Sequence, residues 1–306
     1  MTIPVSLARV PAYDSPELAR TVAGLLSAAG FRPAPGTRVL VKPNLVAPRR
    51  ARLSCTHPAV VRAACVYLSD CGARITVGDS PAFGTARVVA RLCGLTEALR
   101  DMPVDIVNFT RARPVRLSFG GKIGVASQAL DAEAILNIPR LKVHDQMGMT
   151  GAVKNTFGCV AGSRKSLAHQ LYGERGNRFE RLIIEVMEHL PETFHLLDGI
   201  TAMHVHGPVG GRPFALGLVA AAKNPVALDT AMCGLVGMTP AMVPLWREAL
   251  AANLPGARPG EIGYPLLGPA DFDAAGFQGP RALSPVAFRP MRFLKGRLKS
   301  LLTRFR

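Results

Sequence analysis

The six cysteines of this chain, Cys55, Cys65, Cys71, Cys93, Cys159 and Cys233, include no CxxC pair. That spacing argues against a zinc ribbon and against a ferredoxin-type cluster run. The chain has no G-x-x-x-x-G-K-[ST] loop, no G-x-G-x-x-G after its first strand and no G-x-S-x-G elbow. P-loop, standard dinucleotide-fold and elbow-type hydrolase chemistry therefore lose their usual signatures. Aromatic residues make up only 6%, with one Trp and four Tyr. No stretch interleaves basic and stacking residues, which argues against nucleic acid as a partner. No run of about 18 apolar residues reads as a membrane span. The N-terminal MTIPVSLARVPAYD also lacks the apolar centre of a signal peptide. These absences together lead us to expect a cytoplasmic protein with reduced thiols.

What is present is ample for a core: 306 residues, 48% of them hydrophobic and 19% charged. That balance belongs to folded chains. The formal net charge is +16, unevenly spread. Residues 289–306 hold seven Lys/Arg and no acid, and removing them leaves +9 for residues 1–288. A residual of that sign favours anionic partners or substrates.

Short apolar runs alternate with helix signals. Val5–Val10, Arg38–Val41, Ile75–Val77, Ala134–Ile138, His195–Leu197 and Phe214–Ala221 read as strands. Ser15-Pro16-Glu17, Thr56-His57-Pro58 and Asn224-Pro225 read as helix starts. Further helices are expected over about 85–93 and 179–190, and short strands within 104–130. This alternation predicts an α/β fold, doubly wound, with a mainly parallel sheet and helices on both faces. The expected organisation is an α/β domain over residues 1–250, an irregular Pro/Gly-rich segment over 251–288, and a basic C-terminal segment over 289–306. In that last segment Met291, Leu294, Leu298, Leu301, Leu302 and Phe305 fall near helical spacing. It reads as an interfacial amphipathic helix, suited to an anionic membrane surface, or as a helix docked on the domain.

Doubly wound sheets bind ligands beyond the carboxyl ends of their strands. Four strand ends carry polar punctuation: Lys42/Asn44, Asp79/Ser80, Lys142/His144/Asp145 and Asp198. Topology should gather them on one rim. The Ile135–Gly162 stretch continues from its strand into a glycine-punctuated segment bearing Lys154 and Asn155. We therefore assign His144, Lys154 and Lys142 as candidate catalytic residues. Lys42, Asn44 and Asn155 are candidate ligand contacts, joined by Gly207, Gly210 and Gly211 in GPVGG, which resembles a backbone nest for an anion. His144 has two readings, acid/base or metal-ligating imidazole against hydrogen-bonded structural residue. Asp79 could bind metal, orient a ribose or cap a helix, and Asp198 could bind metal or form an Asp-Gly turn. His204 and His206, two residues apart, would share a face on a strand, a spacing that would suit a metal pair. His57 is expected to shape its helix entrance.

At these residues the chain resembles the domain of unknown function 362 family. The matching segments are VKPNLV (41–46), THPAVVRA (56–63), VGDSPAFGT (77–85), LKVHDQMGMTGAVKNTFG (141–158), LLDGITAM (196–203) and GPVGGRPFALGLVAAAKNPVALDT (207–230). Many members of that family carry an attached ferredoxin-like iron–sulfur module, whose cysteine runs this chain lacks. The resemblance thus implies the fold and an iron–sulfur protein as an alternative partner. A more remote similarity of organisation is to the lactate racemase family, whose enzymes also bring His and Lys to a cleft. The expectation is an enzyme acting on a small anionic metabolite, with a divalent metal compatible with its rim. The alternative is a cofactor-linked binding or electron-transfer protein without catalysis of its own.

Overall fold

The computed structural model of the protein describes residues 2–48 and 51–286. The expected amphipathic helix at 289–306 lies outside the described residues.

The centre of the fold is a nine-stranded sheet. Ala134–Ile138, Arg38–Pro43, Arg74–Asp79 and Asp105–Asn108 run parallel to one another, in that order. Ala134–Ile138 and Arg140–His144 are consecutive segments parted by Pro139, which cannot donate to a ladder. Both pair in parallel with the long strand Thr193–His204. Antiparallel pairings add Gly148–Thr150, Arg212–Ala222 and Ser6–Arg9 at the other end. The sheet is therefore mixed with a parallel majority, as the alternating pattern predicts.

Period-2 alternation delivers both faces to helices. Val39, Val41 and Leu136 pack with Leu25, Val61 and Leu68, from helices Leu18–Ala28 and Pro58–Asp70. Their neighbours Leu40 and Ile135 pack instead with Phe179, Leu182 and Ile183 of helix Arg178–Glu188. The helix starts follow from capping chemistry. His57 Nδ1 accepts from the Ala59 N–H, Thr85 Oγ1 from Val88, and Asn224 Oδ1 from Ala227. His57 thus shapes its helix entrance as expected. Ser15 acts one turn earlier than expected: its Oγ accepts from the Ala12 N–H, and the helix begins at Leu18.

One strand departs from expectation. Thr193–His204 runs well past the anticipated end at Leu197, so Asp198 lies inside a strand. The Asp198-Gly199 pair makes no turn; the register shifts between Gly199 and Thr201 and the β-prone Ile200-Thr201 continues the ladder. The segments around 104–130 form Asp105–Asn108 in the main sheet and a separate hairpin, Ala112–Arg116 with Lys122–Ala126. Past Ala251, the described residues hold two 3-10 turns, Pro259–Glu261 and Pro269–Asp271, and a two-residue strand, Ile262–Gly263. The chain then crosses the sheet end and reaches Ser284–Val286, where the Ser284 N–H donates to the Asp145 carbonyl at 2.6 Å.

Candidate functional site

Strand ends and the segments after them converge on one pocket of about 700 Å³. Asn44, Asp79, Ser80, Lys142, His144, Lys154 and Asn155 line it, so three of the four polar strand ends share one rim. Gly207 and Pro208 close one side and Ser284–Val286 another. A further wall comes from helix Arg164–Tyr172, which contributes Lys165, Ser166 and His169.

Asp198 is not part of this pocket. Its carboxylate is fully buried and pairs with Arg140 at 3.2 Å. It also accepts from Tyr13 Oη at 2.9 Å and from the His57 N–H at 2.8 Å. Tyr13 stacks on His57 with ring centroids 3.6 Å apart. That set locks the first helices onto the sheet. Burial raises the Tyr13 phenol far above its ordinary value, and Asp198 adds to the rise. The expected placement of Asp198 at the rim is corrected because its strand continues past it.

Beneath the pocket, Lys42 and Asp79 form an ion pair of 2.9 Å with both side chains buried. Asp79 also accepts from the N–H groups of Leu45 and Ser80, each at 2.8 Å. Asp79 therefore caps no helix; it ties the ends of two adjacent strands together. Gly158 packs against this pair so closely that a Cβ there would collide with both Asp79 Oδ1 and Lys42 Nζ. The glycine after Lys154 is thus required for close approach.

A chain of side-chain amides runs from the pocket into the core. Lys142 Nζ donates to Asn44 Oδ1 and to the Ser54 carbonyl. Asn44 Nδ2 donates to Asn155 Oδ1 at 2.7 Å, and Asn155 Nδ2 to Asn137 Oδ1 at 2.7 Å. Asn137 Nδ2 reaches His195 Nδ1 at 2.9 Å. Every donor points the same way, presenting acceptor oxygen to the Lys142 ammonium. Asn44 and Asn155, expected as ligand contacts, thus line the pocket while spending much of their hydrogen bonding on one another.

Three lysines face the pocket, and burial shifts each. It lowers Lys142 to about 7, with Cys55 opposing and Arg140 and Lys154 adding to the fall. Lys154 falls to about 7 through burial and then the cations Lys165 and Lys42. Lys165 falls to about 8 for the same first reason, partly restored by Asp79. Burial also keeps His144 neutral, well below its ordinary value, with Lys154 and Lys142 reinforcing the effect. His144 Nδ1 accepts from the Gln146 N–H at 3.2 Å, which leaves its proton on Nε2. His169 is lowered to about 4, again by burial first. Its Nδ1 lies 3.4 Å from the Val286 carbonyl, which can only accept, so its Nε2 carries a lone pair. Two neutral imidazoles of opposite tautomer therefore line one pocket, one a donor and the other a base.

Of the GPVGG segment, Gly207 alone contributes a glycine to the pocket lining. Its N–H donates to Asp145 Oδ1 at 2.9 Å, so a carboxylate of this chain takes the first donor of the expected nest. Gly211 packs against the carbonyls of His204 and His206, and Gly210 adopts φ 94°. His204 sits among Phe214 and Phe277 with centroids 5.2 and 5.7 Å away, and His206 lies 4.0 Å from Asp145. Among the described residues no group of three or more His, Cys, Asp or Glu is placed to hold a metal. With Asp79 spent on Lys42 and two backbone N–H groups, and Asp198 spent on Arg140, this donor set does not fit a divalent ion. No cysteine lines the pocket; five of the six are buried and Cys71 is half-buried.

Lys165 and His169 were not anticipated from the sequence. Their helix has one fully buried residue, Ala168, so its apolar periodicity is faint. Gly162-Ser163 before it and Gly173 after it are the punctuation that could have revealed it.

Comparison with known proteins fits this architecture. A thylakoid-associated protein of Synechocystis sp. is 35% identical over 308 residues, covering 98% of this chain and 95% of its own length. Among solved structures, the lactate racemase apoprotein from Thermoanaerobacterium thermosaccharolyticum aligns with a TM-score of 0.53 at 10% identity, over 76% of this chain and 56% of that one. A Thermotoga maritima protein aligns with a TM-score of 0.47 at 15% identity, over 74% of this chain and 60% of that one. The chain therefore spans less than two thirds of these solved chains, and the first likeness shows a shared α/β fold. No helix among the described residues is long and apolar enough to cross a membrane. The sequence profile of the domain of unknown function DUF362 matches residues 39–234, and with a relative aligned almost end to end, the chain belongs to the DUF362 family.

Proposed function

We propose that this pocket binds a small anionic metabolite and acts on it by acid–base chemistry. One observation carries the reading: Lys142, Lys154 and Lys165 line a pocket whose buried carboxylate, Asp79, is already paired with Lys42. Among the described residues none of the three amines forms an ion pair with a carboxylate, which calls for negative charge from outside. An anion bound among them raises their affinity for protons, so the ligand itself restores the ammonium forms that hold it. Within the same walls, the His144 Nε2–H can donate to a developing oxyanion and the His169 Nε2 can accept a proton. His144, Lys142 and Lys154 keep the catalytic roles that the sequence suggests, and Lys165 and His169 join them.

The name of the Synechocystis relative and the basic, apolar-striped sequence of residues 289–306 support peripheral attachment to an anionic membrane as a companion property.

Thermal melts at matched ionic strength test the anion reading. Inorganic pyrophosphate and citrate should raise the melting temperature of the wild-type chain above that in chloride. The Lys154→Met and Lys165→Met variants should lose most of that increment. Equal melts in all three salts would reject the reading.

A further inference from the structure

We propose that Lys154 is a nucleophile that forms an imine with an anionic carbonyl compound, either a 2-oxo acid or a phosphorylated aldehyde or ketone. This rests on the anion-binding reading of the same pocket and adds the class of substrate and the bond formed.

The three pocket lysines are not equivalent. Lys142 donates to Asn44 Oδ1 and the Ser54 carbonyl, and Lys165 to the Ser80 carbonyl. Among the described residues Lys154 Nζ makes no hydrogen bond and no ion pair; its recorded neighbour is the face of the Phe157 ring, 5.1 Å away. Lys142 and Lys165 are thus each oriented by an acceptor of the chain, and Lys154 is not. Lys154 is held at its backbone instead. It lies in helix Ala152–Thr156, whose first N–H groups, those of Ala152 and Val153, are bound by Asp229 at 2.5 and 3.0 Å. On its other side Asn155 is anchored in the amide chain. The stem is fixed and the amine is free.

The charges around it complete the case. Lys165 and Lys42 both disfavour its ammonium form, and Asp79 opposes them only from within its own ion pair. A desolvated lysine beside other cations is available as the neutral amine. Lys142 and Lys165 remain to hold the carboxylate or phosphate of the ligand. Division of labour of this kind needs at least three lysines, and the pocket has three.

The chemistry closes without an oxidant or reductant. The Lys154 nitrogen pair attacks the carbonyl carbon, and the C=O π pair moves to oxygen. That oxygen takes one proton and the nitrogen releases one, giving a neutral carbinolamine; His169, which lines the same pocket, serves as the relay. A second proton, from the Lys165 ammonium, lets the C–O bond break and water depart. The nitrogen pair then forms the C=N bond, leaving a protonated imine and one water. The cationic imine draws electrons from the adjacent carbon, which eases loss of a proton or carbon dioxide there.

The test is reductive trapping on the full chain. Protein is incubated with glyoxylate or with pyridoxal 5′-phosphate, reduced with sodium cyanoborohydride, and mapped by peptide mass spectrometry. We expect the reduced adduct on Lys154 to exceed that on any other lysine by at least ten-fold. Prior addition of inorganic pyrophosphate should suppress it, and Lys154→Arg should abolish it while the variant still melts in one cooperative transition. Adducts spread over surface lysines, or unchanged in Lys154→Arg, would overturn the proposal. If pyrophosphate binds but neither probe traps Lys154, the imine falls and the anion pocket stands. If pyrophosphate does not bind either, both fall.

Discussion

Lys42 and Asp79 stand 2.9 Å apart at the ends of adjacent parallel strands, both buried. Removing one partner of such a pair leaves a buried uncompensated charge, at a cost of about 3–5 kcal/mol. Asp79→Ala should therefore destabilise the fold by roughly that amount. Gly158→Ala should also destabilise it, because its new Cβ lands on the same pair. Chemical denaturation of the two variants checks this; an Asp79→Ala loss near zero would mean the pair is solvated.

Asn155 links Asn44 to Asn137 in the buried amide chain. Asn155→Ala strands the Asn44 amide and the Asn137 carbonyl, each orphan costing about 1–3 kcal/mol. It also loosens the acceptor that faces Lys142. Stability should fall while Asn44→Ala in the same background adds little more, since both act through one chain. Additive losses in a double-mutant cycle would show that the amides act separately.

Much of this architecture is legible in the sequence, and the failures are instructive. The strands Arg38–Pro43 and Ala134–Ile138 are apolar runs with clear ends, and their polar exits do reach one pocket. Asp198 is misplaced because Asp-Gly is a turn signal in general, whereas Arg140, Tyr13 and the His57 N–H hold it inside a strand here. Those three partners lie 58, 185 and 141 residues away, a distance that local patterns do not span. Lys165 and His169 escape notice for a different reason: a helix that walls a polar pocket keeps few apolar positions to announce it.

Folded-state lysine values near 7 to 8 have a sign for stability. Lys142, Lys154 and Lys165 are lowered from their ordinary range, so the unfolded chain binds more protons between the two values. Stability without bound anion should therefore rise with pH from about 7 to about 8.5. Above that, the buried thiols of Cys65 and Cys159, raised to about 12, work in the opposite direction. Asp229, raised to about 7 by burial, opposes this rise at the lower edge of the window, where its carboxyl finishes ionising. Melts at pH 7 and pH 8.5 check the sign, and Lys154→Met should shrink the difference.

Residues 289–306 carry seven basic residues and a spaced set of apolar ones. Each basic residue near an anionic surface contributes about 1 kcal/mol. Binding to vesicles containing phosphatidylglycerol should be present at low salt, weaken as salt rises, and disappear on deletion of 289–306. Sedimentation of full-length and truncated chains with such vesicles checks this; a full-length chain that stays in the supernatant at low salt would contradict it.

Three lysines of one pocket await an anion on this reading, and isothermal titration calorimetry with inorganic pyrophosphate puts that to the test. One site per chain is expected, with affinity that falls as pH rises from 6 to 8.5 and at least a ten-fold loss in Lys165→Met. No saturable heat at low salt and pH 6, or a wild-type affinity in Lys165→Met, would contradict it.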